Sequence, residues 1–288
     1  MTSSARSAYL KIAVAFVLAL VITPVAAWLL PTTRWHRVAT RTFLILVVLL
    51  FASNAGHPRT WLGKLRAMGL DGPHRLSRML VGFAVALAFF GLLLGFSYLV
   101  GARDASTSVP KYDLLEHVWV ALLTGFLVSM VEEPLCRGAM KDTMGGVASA
   151  FLYSIAHLFR PMHVTQPADG YEPFLVIERL PEILEGWTVT RQWTWGVLSL
   201  FLLGLALNRL RERTGTLYVG IGIHIGLVFG MKIYTRFISP HPNGSDMIWG
   251  WNRLHDGLVG TVVMGLLLWA AYKVPLPARL LDGSKAAA

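Results

Sequence analysis

Two adjacent carboxylates, the second followed four residues later by a guanidinium, stand in Glu132-Glu133-Pro134-Leu135-Cys136-Arg137 at the end of an apolar run. On a helix Glu133 and Arg137 fall at i and i+4, on one face and within pairing distance, whereas Glu132 is rotated by about 100° and points elsewhere. One carboxylate can thus be neutralised by Arg137 while the other stays free to act as a general base on water, a role that a desolvated cleft strengthens. Pro134 is awkward in an uninterrupted helix and predicts a kink or a restart with exposed backbone groups. The plain alternative is a charged helix end at an interface.

Two further polar groups interrupt apolar runs. Tyr153 and His157 share a helix face at i and i+4, and His224 sits among Gly220, Gly222 and Gly226, small residues that permit close helix approach. A lone histidine in an apolar helix is more often a hydrogen-bonded strut than a catalyst. Two of them with an acidic pair, all in membrane-type segments, need one another for satisfaction and point to a shared site.

The elements that must position these groups are apolar helices. Of the 288 residues 55% are hydrophobic and 15% charged, against about a quarter charged in soluble proteins. Eight runs approach the length that spans a bilayer: 9–30, 38–55, 79–100, 114–130, 144–159, 193–207, 217–234 and 258–272, with the second, fifth and last short or marginal. Membrane strands would need period-two alternation, which is missing. The fold class is therefore all-α, a polytopic transmembrane helix bundle of about eight spans with the lipid bilayer as its partner. The net charge of +10 comes from basic residues scattered between the spans, where they serve as orientation anchors and contacts for anionic lipid rather than a nucleic-acid surface. Counting the N-terminal tail and every second loop as one side, that side holds 15 Lys and Arg against 11 opposite, which predicts both termini in the cytoplasm. The first run is expected to be a retained helix, since its apolar character continues past Ala26-Ala27 where a signal peptide would be cut. The single cysteine, Cys136, excludes an intrachain disulfide and a cysteine-built zinc site.

Three parts are expected: N-terminal spans without catalytic motifs at 1–113, a core with the three polar groups at 114–234, and an interfacial segment, last span and tail at 235–288. Within the core, 160–192 is a long loop with four prolines and five acidic residues, longer than a compact connection needs. It either caps the site, lies on the membrane surface or is a solvated excursion. Segment 239–256 reads as a turn followed by a Trp249 and Trp251 anchor, and the final residues as a frayed end.

In this order the three groups resemble the motifs of the CPBP family, the CAAX proteases and bacteriocin-processing enzymes, and within it the type II CAAX prenyl endopeptidases. That family shows a Glu-Glu-x-x-x-Arg block, an aromatic-x-x-x-His block and a His-x-x-x-Asn block on successive spans. Glu132, Glu133 and Arg137 match the first, Tyr153 and His157 the second with Tyr for the usual Phe, and His224 the head of the third; 201–218 also resembles the approach to that last block. Val228 departs from it, standing where many members carry Asn or Asp. Valine donates no hydrogen bond, so any oxyanion-stabilising role of that amide must come from elsewhere, with Asn208, Ser154 and Tyr153 as candidates, or be absent.

The resemblance implies an intramembrane endopeptidase in which Glu132 with His157 activates a water, Glu133 is held by Arg137, and His224 stabilises the oxyanion. A metal-free reaction with no cofactor is preferred; the alternative is zinc on Glu132, His157 and His224, with an open fourth position. The substrate would be a membrane-associated peptide or protein, with prenylated tails, bacteriocin precursors and sorting signals equally open. The expected location is a bacterial inner membrane. Two other classes remain: a catalytically silent member acting as scaffold or self-immunity protein, which the Val228 departure favours, and a proton-coupled transporter, against which no inverted repeat is visible.

Overall fold

The computed structural model describes residues 3–53, 63, 69–71, 74–105, 114–159, 166–188, 192–240, 245–250 and 254–281. The long helices in chain order are α1 (Ser3–Leu29), α2 (Trp35–Ser53), α3 (Arg75–Leu99), α4 (Leu114–Glu133), α5 (Gly146–Ala156), α6 (Val197–Thr214), α7 (Tyr218–Phe237) and α8 (Leu258–Lys273). The expected all-α bundle is thus what forms. The span count differs from the expected eight. Among the described residues five helices are long and apolar enough to cross a membrane: Arg6–Leu29, Arg75–Leu99, Leu114–Met144, Trp193–Thr214 and Tyr218–Arg236. The reason is length and polarity. At 1.5 Å per residue, α5 with 11 residues and α8 with 16 fall short of a hydrocarbon layer about 30 Å thick. Helix α2 opens with His36, Arg37 and Arg41 in its first two turns, and residues 54–55 of its expected run lie outside the described residues.

Helix α7 is the hub. It packs on α3 and α4, while α6 packs on α5 and α8. Contact with α3 is made at the backbone: a Cβ at Gly82 would fall on the Val219 carbonyl, one at Gly222 on the Met79 carbonyl, and one at Gly226 would lie 2.6 Å from the Ala86 Cβ. Without a hydrophobic driving force between helices in lipid, such close approach is what holds them together. Gly125 of α4 meets the Ile225 carbonyl in the same way. A buried pair of hydroxyls, Ser199 and Thr261 at 2.7 Å, ties α6 to α8.

Of the long loop, the described part 166–188 folds as two short helices, Leu175–Glu178 and Leu180–Leu184. It is no solvated excursion. Ala168, Leu175 and Ile183 are buried with Ala27, Trp35, Val38 and Ala39 at the α1–α2 turn, and the Trp35 indole donates to Glu182 at 2.9 Å. Strand Arg103–Ala105 pairs antiparallel with Ile238–Pro240, clipping the end of α3 to the end of α7. The Arg103 guanidinium, buried beside Tyr234, donates to the carbonyls of Trp249 and Gly250 and so holds the anchor segment. The expected turn at 242–244, Trp251 and the tail from 282 lie outside the described residues.

Candidate active site

At the acidic pair the helix does not restart. It widens. Residues Pro134–Met140 form a π-helix that follows α4 without a break and continues into Lys141–Met144. The proline explains the site of the change: it lacks an N–H, and its ring would clash with the carbonyl one α-turn earlier, a conflict that a wider turn relieves. Widening leaves carbonyls to be satisfied from outside. Ser149 of α5 donates to the Cys136 carbonyl, and Arg211 of α6 donates to the Arg137 carbonyl while gripping Asp142 with two bonds of 2.6 and 2.9 Å.

The two carboxylates occupy different surroundings. Glu133 is fully buried; its Oε2 lies 3.6 Å from Arg137 Nε, and its Oε1 accepts a 2.9 Å hydrogen bond from His224 Nδ1. Gly220, one turn before His224 on α7, leaves the carboxylate room, since a Cβ there would sit 3.4 Å from Glu133 Oε2. The Glu132 side chain is 21% exposed and turns the other way round the same imidazole, with Oε2 3.7 Å from His224 Nε2. That separation is too long for a hydrogen bond, and Glu132 Oε2 is buried without a hydrogen-bond partner, as are Glu133 Oε2 and the three guanidinium nitrogens of Arg137. Buried polar atoms left over by the protein are where ordered water binds, and a polar gap beyond 3.5 Å is the distance that one water bridges.

Tyr153 is the common wall. Its ring lies 4.0 Å beneath the Arg137 guanidinium carbon, 4.7 Å from the His157 ring and 6.3 Å from the His224 ring, in edge-on contact with both imidazoles. The Tyr153 carbonyl is 2.8 Å from His157 Nδ1. A carbonyl only accepts, so Nδ1 carries a proton. By the same logic Nδ1 of His224 donates to Glu133. For His224 Nε2 to donate as well, the ring must be doubly protonated.

All five residues singled out from the sequence, Glu132, Glu133, Arg137, His157 and His224, therefore fall around one tyrosine ring. Among the described residues no group of three His, Cys, Asp or Glu side chains that could hold a metal ion is found. Of the candidate replacements for an amide at Val228, Asn208 donates to the Gly146 carbonyl at 2.8 Å and Ser154 to Phe151 within its own helix at 2.7 Å. The one Ser154 hydroxyl proton is thus used, as is one of the two N–H donors of the Asn208 amide. Arg211, Asp142 and Ser149 were not foreseen, because basic residues in the last turn of an apolar helix read equally well as orientation anchors.

A family model described as type II CAAX prenyl endopeptidase, Rce1-like, matches residues 114–230, the stretch from α4 into α7 that contains all five residues. No curated protein and no solved structure matches the chain.

Proposed function

From a segment at 114–230 that belongs to the Rce1-like type II CAAX prenyl endopeptidases, we propose that the protein is an intramembrane endopeptidase that hydrolyses a peptide bond of a membrane-associated substrate. The observation that carries the reading is Glu132 Oε2, a buried carboxylate oxygen with no hydrogen-bond partner that faces an imidazole nitrogen at 3.7 Å.

In this mechanism a water is held by Glu132 and by Nε2 of His157. Its oxygen attacks the scissile carbonyl carbon as Glu132 takes a proton. Negative charge then develops on the carbonyl oxygen and is met by the His224 imidazole. The ring is oriented by Glu133, which is in turn held by Arg137. When the tetrahedral intermediate collapses and the C–N bond breaks, the proton on Glu132 passes to the leaving amine. No step requires a metal. Valine at 228 leaves His224 as the oxyanion donor on α7, and the same departure supports a second reading, a catalytically silent member that acts as a scaffold or self-immunity protein.

A survey of membrane-protein termini in cells carrying the wild type against Glu132→Ala separates the two. Uncut precursors accumulate in the variant if the protein cleaves; an unchanged terminal profile at normal expression rejects proteolysis. Counted over the eight apolar runs, the Lys and Arg distribution further leads us to propose that both termini face the cytoplasm, in what we take to be a bacterial inner membrane. A periplasm-active reporter that lights up when fused to either end would reverse that orientation.

A further inference from the structure

We propose that Arg211 is a positioning residue for this site: by holding the backbone of the π-helix, it sets the register in which Arg137 meets the Tyr153 ring. The proposal rests on the hydrolytic reading for its kinetic consequence, but not for its structural one. A π-turn is a rare and poorly bonded conformation that persists where its surroundings over-determine it. Here two outside donors do so. Ser149, buried on α5, donates to the Cys136 carbonyl at 2.5 Å, and Arg211 on α6 donates to the Arg137 carbonyl. Arg211 also reaches across the junction where the π-helix gives way to Lys141–Met144, taking both oxygens of Asp142. One planar fork thus fixes a backbone oxygen before the junction and a side chain after it. Relaxing the wide turn into an α-helix would rotate Arg137 about the helix axis, away from the Tyr153 ring at 4.0 Å, while the i,i+4 spacing would keep it beside Glu133.

Stability alone gives a weak reason for the clamp. Asp142 is 48% exposed, and an ion pair with so open a partner contributes little. Its effect is therefore expected in geometry, and lysine is no substitute, since a single ammonium lacks the fork that spans a carboxylate and a carbonyl together.

The test is a double-mutant cycle on the full chain in lipid bicelles, with Arg211→Lys, Tyr153→Leu and the pair, read as the unfolding constant. The bonds of Arg211 go to the Arg137 carbonyl and Asp142, not to Tyr153, so independent sites would give additive effects. We expect the effect of Tyr153→Leu to shrink by roughly 10-fold when Arg211 is already lysine, a coupling within the range seen for connected residues. Additive effects overturn the proposal. The second readout is cleavage of an internally quenched peptide built on a site found in the survey of termini. Arg211→Lys should lower kcat on the order of 100-fold, the scale of a misplacement near 1 Å, and leave KM unchanged; wild-type kcat at equal folded protein also overturns it. If wild-type protein cleaves nothing, the hydrolytic reading fails, and the cycle alone decides whether Arg211 sets the register. Should Arg211→Lys fail to fold, Ser149→Ala, which removes the other outside donor without adding bulk, takes its place in both readouts with the same expected signs.

Discussion

Glutamine at position 133 should cost far more folded protein than glutamine at position 132, although the two side chains are neighbours. Glu133 has no exposure and lies 3.6 Å from the Arg137 guanidinium, which is itself 1% exposed. Coulomb's law at an effective dielectric of about 20 gives roughly 4–5 kcal/mol across that distance, and breaking a buried pair by removing one partner typically costs about 3–5 kcal/mol because the other charge is left uncompensated. Both routes agree on a loss of roughly two to four powers of ten in the folding ratio. Glu132 is different. Its side chain is 21% exposed, and its Oε2 has no hydrogen-bond partner, so neutralising it removes a carboxylate that the fold does not use. Glu132→Gln should leave stability unchanged within about 0.5 kcal/mol, as for substitutions away from structural contacts, or raise it. Reversible unfolding in bicelles, together with folded yield by fluorescence-detected gel filtration, measures both. Equal midpoints for the two variants would refute the assignment of Glu133 to structure and Glu132 to chemistry.

Other outcomes follow from the same geometry. Tyr153→Phe keeps the ring that Arg137 and both imidazoles touch, and peptide cleavage should stay close to the wild-type rate; Tyr153→Leu removes the cation–π contact, worth about 2 kcal/mol when desolvated, and should lower both the unfolding midpoint and cleavage. A phenylalanine variant as impaired as the leucine one would show that the hydroxyl matters. Gly222→Ala drives a Cβ into the Met79 carbonyl and should destabilise by about 1–3 kcal/mol or more; an unchanged midpoint would mean that α3 and α7 do not meet at their backbones. Cleavage should survive prolonged chelation. Stoichiometric zinc in the purified enzyme, lost together with activity on chelation, would restore the metal alternative.

The chemistry was more legible in the sequence than the architecture around it. Glu133 and Arg137 are local at i and i+4, so helical geometry alone predicts their meeting. Glu132, His157 and His224 could be named because ionisable residues in apolar helices are too costly to be incidental. What each would touch was beyond reach. The contact of His224 with Glu133 depends on the tight packing of α7 on α4, and that in turn on glycines whose partners are backbone atoms of other helices. Pro134 marked the right place for a helix irregularity but not its kind. Whether a proline kinks, breaks or widens a helix depends on which outside donors are at hand, and Ser149 and Arg211 lie 13 and 74 residues away from the carbonyls they satisfy. Apolar composition marks a helix as lipid-compatible without fixing its length, so among the described residues five helices of spanning length stand beside shorter apolar ones, α5 and α8.

The glycine contacts between α3 and α7 bear on what can be cut from this chain. Residues 114–230 carry the family resemblance and all five reactive side chains, and would invite excision as a minimal enzyme. Yet α7 leans on Met79, Phe83 and Ala86, residues that lie well upstream of that segment. A truncation beginning at 114 would leave the back of the helix bearing His224 against lipid tails, which cannot reproduce a backbone-to-backbone seam. Any transplant of the site into another scaffold must bring α3 along as its splint.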